Sequence, residues 1–543
     1  MKAQSFVKGA AILAAAAFFT RFLGLIYKVP YQNITGDTGL FIYQQVYPLY
    51  STILVLATAG FNIAVSKIVS ERLTLGDPFG AKRVFRVSAV VLSGTGVLFF
   101  CVLFFGAPRI AAWMGNAELL TLPIKSVSFA LLIVPVMSVI RGYFQGHQNM
   151  VPTAMSQVVE QIVRVITIVT LAYWFMASGM GVVYAGAGAV FGAVTGAIAG
   201  LITLLIYWHR NEQMQREIAV TATTFDMPSA QESTFKIVKR ILYYALPICL
   251  GALVLPLFGL ADSFTVANML EIAGGLSKES AAQLKGIYDR GDSLIQFAVS
   301  FATAVTLSIV PAVAEAVAKN RLDLVQHRSD LALRLTYMFG LPASVGLAVI
   351  IVPTNIMIYT NDSGSGTLAV LAFATVFSTL NMTSAGILQG VGLVLLPARN
   401  LLLGVGVKVL LNLLLIGPLG ITGAAIATVI AYAFAAFLNY VSLVKHVHLR
   451  IAWRDYIKPL LPVALMAVAV YTSMRASRAL FLGFISSERI AMLGTVCVAL
   501  VVGAVVYALA LFRSGAISRE DLQSVPSLGR RAIPLLERLR LLK

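Results

Sequence analysis

Apolar runs of about twenty residues or more recur along almost the whole chain, separated by short polar segments. The runs are continuous and do not alternate with a period of two. That is the pattern of bilayer-spanning helices, not of a membrane barrel. Fourteen helices are predicted, near 7–29, 42–66, 85–107, 120–141, 152–176, 181–208, 238–262, 290–317, 332–355, 366–391, 395–417, 420–444, 457–475 and 487–512. Lys2 and Lys8 ahead of a small apolar run imitate a secretory signal. Arg21 interrupts that run and apolar sequence resumes at once, so a retained first helix is expected.

One predicted helix breaks the apolar pattern. In "VPTAMSQVVEQIVRVITIV", Pro152 suits a first helical turn, where its missing N–H is not needed. Thr153, Gln157, Glu160, Gln161, Arg164 and Thr167 then recur at spacings of three and four, forming one polar stripe. The opposite face is Val, Ile and Met. Arg164 lies roughly 18 Å from the helix start, near the middle of a hydrocarbon core about 30 Å thick. Glu160 and Arg164 form a favourable i,i+4 pair, and mutual neutralisation is the simpler account of them. Their company argues for more. Arg21 in "FFTRFLGLIYKVP" is predicted at a similar depth, with Lys28 two turns outward. Lys408 in a later helix is also mid-depth, with Asn412 one turn on. Each such placement costs about 2.5–3.5 kcal/mol. Together these residues suggest an interior cavity of positive potential. Asp262 is expected near the outer end of the seventh helix, and Asp289, Arg290 and Asp292 at the outer start of the eighth, as a solvated helix start.

Charge then sets orientation. Of the 41 Lys and Arg, 29 fall in connections, tails and helix ends that lie inside if the N-terminus does. Eight fall outside, Lys285 and Arg290 among them, and Arg21, Lys125, Arg164 and Lys408 remain within spans. This asymmetry predicts both termini inside and an even helix count. The formal charge of +18 is therefore mainly topological, and nucleic-acid binding is not expected. It favours contact with anionic inner-leaflet lipids instead. The basic tail "SLGRRAIPLLERLRLLK" reads either as an amphipathic surface helix or as an ordinary tail.

Composition agrees: 59% of the 543 residues are hydrophobic and 12% charged, against about a quarter charged in soluble chains. The three cysteines form no CxxC pair and the histidines no HExxH motif. No Walker sequence or nucleophile–base spacing singles out an enzyme site. No metal or cofactor is expected.

The sequence also repeats. "RGYFQGHQNMVPTAMSQVVEQIVRV" resembles "SAGILQGVGLVLLPARNLLLGVGVKVLL". Gln145-Gly146 matches Gln389-Gly390, Pro152 and Pro397 follow, and Arg164 and Lys408 each stand 19 residues after the glutamine. The reading is an all-α polytopic membrane protein with two six-helix pseudo-symmetric halves plus two C-terminal helices. Its segments are 1–208, a linker at 209–237, 238–445, 446–512 and a tail at 513–543. Parallel repeats are one transporter plan, with the substrate site expected between the halves.

These residues carry a family resemblance. "TRFLGLIYKVP", "LATAGFNIAVSKIVSE", "RGYFQGHQNMVPTAMSQVVEQIVRV" and "SLIQFAVSFATAVTLSIVPAVAEA" resemble the MOP exporter superfamily. The similarity is to its polysaccharide-transporter branch, which includes the stage V sporulation protein B type and the MurJ-like lipid II flippases. It covers almost the whole chain. It implies an alternating-access flippase of the bacterial cytoplasmic membrane, moving an undecaprenyl-diphosphate-linked cell-wall precursor from inner to outer leaflet. Cavity cations would hold the diphosphate: Arg21 by motif, Lys28 by charge type where the branch has arginine, and Arg290 by its place in "DRGDS". From the residues themselves, Arg164, Lys408 and the Gln157–Glu160–Gln161 stripe complete the substrate set. Glu160 and Asp262 are candidates for coupling or gating. Expected partners are the lipid-linked saccharide diphosphate, membrane lipids and cell-wall synthesis proteins. The alternatives are a cation-coupled multidrug exporter of the same superfamily, disfavoured by basic mid-depth sites, and a non-transporting scaffold in envelope or spore assembly.

Overall fold

The structure, a computed structural model, describes residues 12–515 apart from 14, 17, 18, 21, 25, 222–231 and 450–452. Arg21 and the basic tail therefore lie outside the described residues. All regular structure among the described residues is helical. Among the described residues eleven helices are long and apolar enough to cross a membrane, so the chain is a multi-pass membrane protein. One of these, Phe22–Thr74, takes in the last residues of the predicted first helix and the whole of the predicted second, and the predicted seventh and eighth lie within the long helices Thr234–Ile272 and Lys278–Ala318. Packing divides the chain into two compact units, Met1–Gly286 and Ile287–Lys543. The two-half plan with its linker at 209–237 is a proposal drawn from the repeat alone.

The first unit contains α1 (Lys28–Thr74), α2 (Pro78–Trp113), α3 (Ala117–Ser128), α4 (Ala130–Gly146), α5 (Val151–Ala177), α6 (Val182–Thr221) and α7 (Thr234–Ile272). Gly36 breaks α1 with φ 69° and ψ −172°, a conformation open to glycine and costly for a residue with a Cβ. Asp77 caps α2 by accepting from Gly80 N at 2.7 Å, and Asn116 caps α3 by accepting from Leu119 N at 3.0 Å. The Gln45 side chain donates to the Met114 and Ser263 carbonyls, and the Ser263 hydroxyl returns a bond to Gln45 O. One buried amide thus ties α1 to α7 and to the connection before α3. Outward faces are apolar: Val97, Leu98, Val102 and Phe105 on α2 are all exposed. A water-soluble surface does not carry such a stripe; a bilayer accepts it.

The second unit takes in α8 (Lys278–Ala318) from Ile287 onward. It continues with α9 (Leu322–Val349), α10 (Ile351–Tyr359), α11 (Ser365–Ala372), α12 (Ala374–Gly390), α13 (Leu395–Leu419), α14 (Ile421–Val447), α15 (Trp453–Ile457), α16 (Leu460–Phe484) and α17 (Glu488–Arg513). An asparagine network ties three of these helices. Asn400 donates to Asn439 Oδ1 at 2.9 Å and Ser442 Oγ at 3.1 Å, and Asn439 donates to Asn381 Oδ1 at 2.9 Å. All three asparagines are buried. Replacing Asn439 with Leu strands Asn381 Oδ1 and leaves the Asn400 amide with Ser442 alone. We expect a loss of about 1–3 kcal/mol, visible as a lower melting temperature in detergent. An unchanged melting temperature would show that these bonds exchange freely with other partners.

Two boundaries differ from the sequence expectation. Ser277 caps α8, its hydroxyl accepting from Ser280 N at 3.2 Å, so the helix opens at Lys278 and not near 290. Lys285, Asp289 and Arg290 are therefore buried along the helix, where the sequence reading set a solvated external start. Likewise α7 runs to Ile272, which leaves Asp262 inside the helix and 8% exposed.

Candidate functional site

Helix α5 forms from Val151 with Pro152 in its first turn, as its sequence dictates. Its polar stripe faces inward. Thr153 and Ser156 are buried, and Gln157, Glu160, Gln161, Arg164 and Thr167 are half-buried. Met155, Ile162 and Ile166 on the opposite face are exposed. The stripe therefore reports a real division between bundle and lipid.

At its centre Glu160 is held by two arginines. Arg164 Nη2 donates to Glu160 Oε1 at 2.6 Å, and Arg141 Nη2 donates to Oε2 at 2.9 Å. Arg141 Nε also donates to Ser156 Oγ at 2.9 Å. The three side chains are 12–14% exposed. One carboxylate against two guanidiniums leaves a net charge of +1 in a poorly hydrated place. The sequence reading missed Arg141, counting it among the cytoplasmic helix ends. Its signal was available: Arg141 and Ser156 stand equally far from the turn at 147–150, so an antiparallel hairpin sets them side by side. His147 closes α4, its Nδ1 donating to Tyr143 O at 2.9 Å. Burial pushes its imidazole below the ordinary value, so the turn carries no histidine charge near neutrality.

A glycine ridge on α6 brings that helix against the charged segment. A Cβ on Gly192 would meet Arg164 O at 3.0 Å, on Gly196 Glu160 O at 2.7 Å, and on Gly200 Ser156 O at 3.3 Å. Only glycine permits this approach at Gly196.

A second feature was not singled out in the sequence. Tyr27, just before α1, and Tyr31, Tyr43, Tyr47 and Tyr50 of α1 form a ladder. Tyr27 Oη donates to Tyr43 Oη at 2.5 Å. The Tyr43 and Tyr47 rings stack at 5.7 Å with planes 16° apart, and Tyr50 lies 6.4 Å beyond Tyr47. Tyr43, Tyr47 and Tyr50 all lie within electrostatic range of Arg164. Among the described residues nothing hydrogen-bonds the buried atoms Arg164 Nε, Tyr50 Oη or Gln157 Oε1.

The remaining sequence candidates are placed as follows. Lys28 opens α1 and is 8% exposed. Gln161 lies against Gly24, where a Cβ would be 3.5 Å from its Nε2. In the second unit Lys408 is 2% exposed, on the buried face of α13 with Asn400, Gly404 and Asn412. Arg290 is fully buried and donates to Asn355 Oδ1 at 3.0 Å and Asn361 Oδ1 at 2.9 Å, with its guanidinium 5.0 Å from the Tyr359 ring centre.

Residues 6–317 match the family described as polysaccharide biosynthesis protein. The chain is 34% identical to the uncharacterized membrane protein YabM of Bacillus subtilis, over 96% of this chain and 94% of that one. It is 30% identical to the lipid II flippase MurJ of Bacillus subtilis, over 81% and 82%. The fold is shared with a solved structure of lipid II flippase MurJ in an inward closed conformation, with a TM-score of 0.64 at 13% identity, covering 92% of this chain and 98% of that one. The chain belongs to the polysaccharide biosynthesis protein family.

Proposed function

We propose that this protein is a flippase that moves an anionic undecaprenyl-diphosphate-linked cell-wall precursor, lipid II or a related glycan, from the inner to the outer leaflet. One observation carries the reading: two arginines converge on a single carboxylate inside the span Val151–Ala177, leaving an uncompensated positive charge. Cations at such depth persist where something anionic meets them. Arg164 has an inward Nε with no hydrogen-bond partner among the described residues, and guanidinium is suited to bidentate capture of phosphate oxygens. Glu160 is then an internal stand-in for the ligand. It holds Arg164 in place between cycles and stays on Arg141 when phosphate arrives. Kinship with the MurJ flippase of Bacillus subtilis supports a diphosphate-linked lipid as the class of substrate. Lys28, Lys408 and Arg290 are proposed as further contributors of positive charge, and Asp262 with Glu160 as a gating group. The cytoplasmic membrane with both termini inside is the proposed location.

The test is the leaflet distribution of lipid II in cells depleted of this protein, in a strain without other flippases. Externally accessible lipid II should fall several-fold and return with the wild-type gene but not with Arg164→Met. Unchanged external exposure after depletion would exclude lipid II as the substrate.

A further inference from the structure

We propose that Tyr47 is a stacking platform for the saccharide of the substrate, adjoining the diphosphate position at Arg164. This rests on the reading of Arg164 given above and adds to it the subsite for the glycan.

The geometry separates Tyr47 from its neighbours. Tyr31, Tyr43 and Tyr50 are at most 3% exposed, whereas Tyr47 is 40% exposed. Tyr43 backs one face of the Tyr47 ring at 16°, and Tyr50 stands beside it. The ring is thus held from behind while part of it stays open. Pyranose rings present an apolar C–H face, and such a face packs on the negative π-face of a fixed aromatic ring. Little ordering entropy is lost, because Tyr47 is already stacked.

Two polar groups, one beside the platform and one on the stripe that carries Arg164, match a sugar as well. Tyr50 is 1% exposed and its hydroxyl has no hydrogen-bond partner among the described residues. Gln157 Oε1, on the same α5 stripe as Arg164, likewise has no hydrogen-bond partner among the described residues. An orphaned buried polar group is destabilising, and a ligand rich in hydroxyls would supply the missing bond. A tyrosine of the interfacial belt has another setting: its ring lies at headgroup level and its hydroxyl meets lipid headgroups. Tyr47 instead lies within electrostatic range of Arg164, a mid-span cation.

The experiment compares two water-soluble probes on the full-length protein in nanodiscs, by calorimetry: inorganic pyrophosphate, and a lipid-free N-acetylated disaccharide carrying a 1-diphosphate. Wild type should bind the disaccharide diphosphate roughly three- to tenfold tighter than pyrophosphate, the scale of one aromatic stack. Tyr47→Ala should erase that gain and leave pyrophosphate affinity unchanged; Tyr47→Trp should keep it. Tyr47→Leu, which retains apolar bulk, should behave like the alanine variant. A gain that survives Tyr47→Ala, or no gain in wild type while pyrophosphate still binds in an Arg164-dependent way, overturns the platform and spares the flippase reading. Absence of Arg164-dependent binding by either probe overturns both.

Discussion

Glu160→Ala should cripple the fold, whereas Arg164→Met should spare it and abolish transport. The asymmetry follows from the shared carboxylate. Removing Glu160 leaves Arg141 and Arg164 facing each other with neither neutralised, and breaking a buried pair in this way costs about 3–5 kcal/mol. Removing Arg164 leaves Glu160 on Arg141, a complete pair that retains its bond geometry and its second tie to Ser156. Melting in detergent should therefore drop sharply for Glu160→Ala and little for Arg164→Met, with lipid II exposure lost in both. The double variant is informative for the same reason. Neutralising Glu160 and Arg164 together still strands Arg141, so full recovery of stability is not expected. Equal melting temperatures for the two single variants would mean that Arg141 does not hold Glu160.

Gly196→Val should be the most damaging single change on α6. Any Cβ there falls 2.7 Å from Glu160 O and 3.1 Å from Arg164 Cβ, and valine adds two methyl groups to the clash. The helices must separate, and overpacking of this kind costs about 1–3 kcal/mol or more. The functional loss should exceed what stability alone predicts, because the displaced backbone is the one that aims Glu160 and Arg164. Gly94→Ala is the control: a Cβ there meets nothing within 4 Å. Transport measured at matched amounts of folded protein separates the two effects. Wild-type transport by Gly196→Val would mean that α5 and α6 tolerate separation.

Much of this was legible from residue order. The stripe on α5 follows from spacings of three and four, and the structure turns that stripe inward with Met155, Ile162 and Ile166 outward. The α8 boundary was misread because "DRGDS" looks like a solvated start, while the operative signal is Ser277 with Glu279 in the first turn. Arg141 was misread because charge counting treats a basic residue at a span end as topological. Its partner lies 19 residues on, beyond the reach of helical periodicity, and only hairpin geometry relates the two. The tyrosine ladder was passed over although Tyr43, Tyr47 and Tyr50 stand at spacings of four and three, because aromatic residues at helical spacing mark any packed helix face. What marks Tyr47 is its difference in exposure from Tyr43 and Tyr50, which a sequence does not contain.

The short turn between α4 and α5 bears on biosynthesis. A lone helix carrying both Glu160 and Arg164 would meet an insertion penalty of about 2.5–3.5 kcal/mol for a charge near its centre, partly relieved by their own pairing. Arg141 sits on the preceding segment, only a turn away in space, and neutralises the same carboxylate. The two segments thus offer the translocon a lower-cost route as a pair than one after the other. Lengthening the connection at 147–150 would delay the meeting of Arg141 with Glu160. The cost would then fall on the nascent chain, before any substrate is involved.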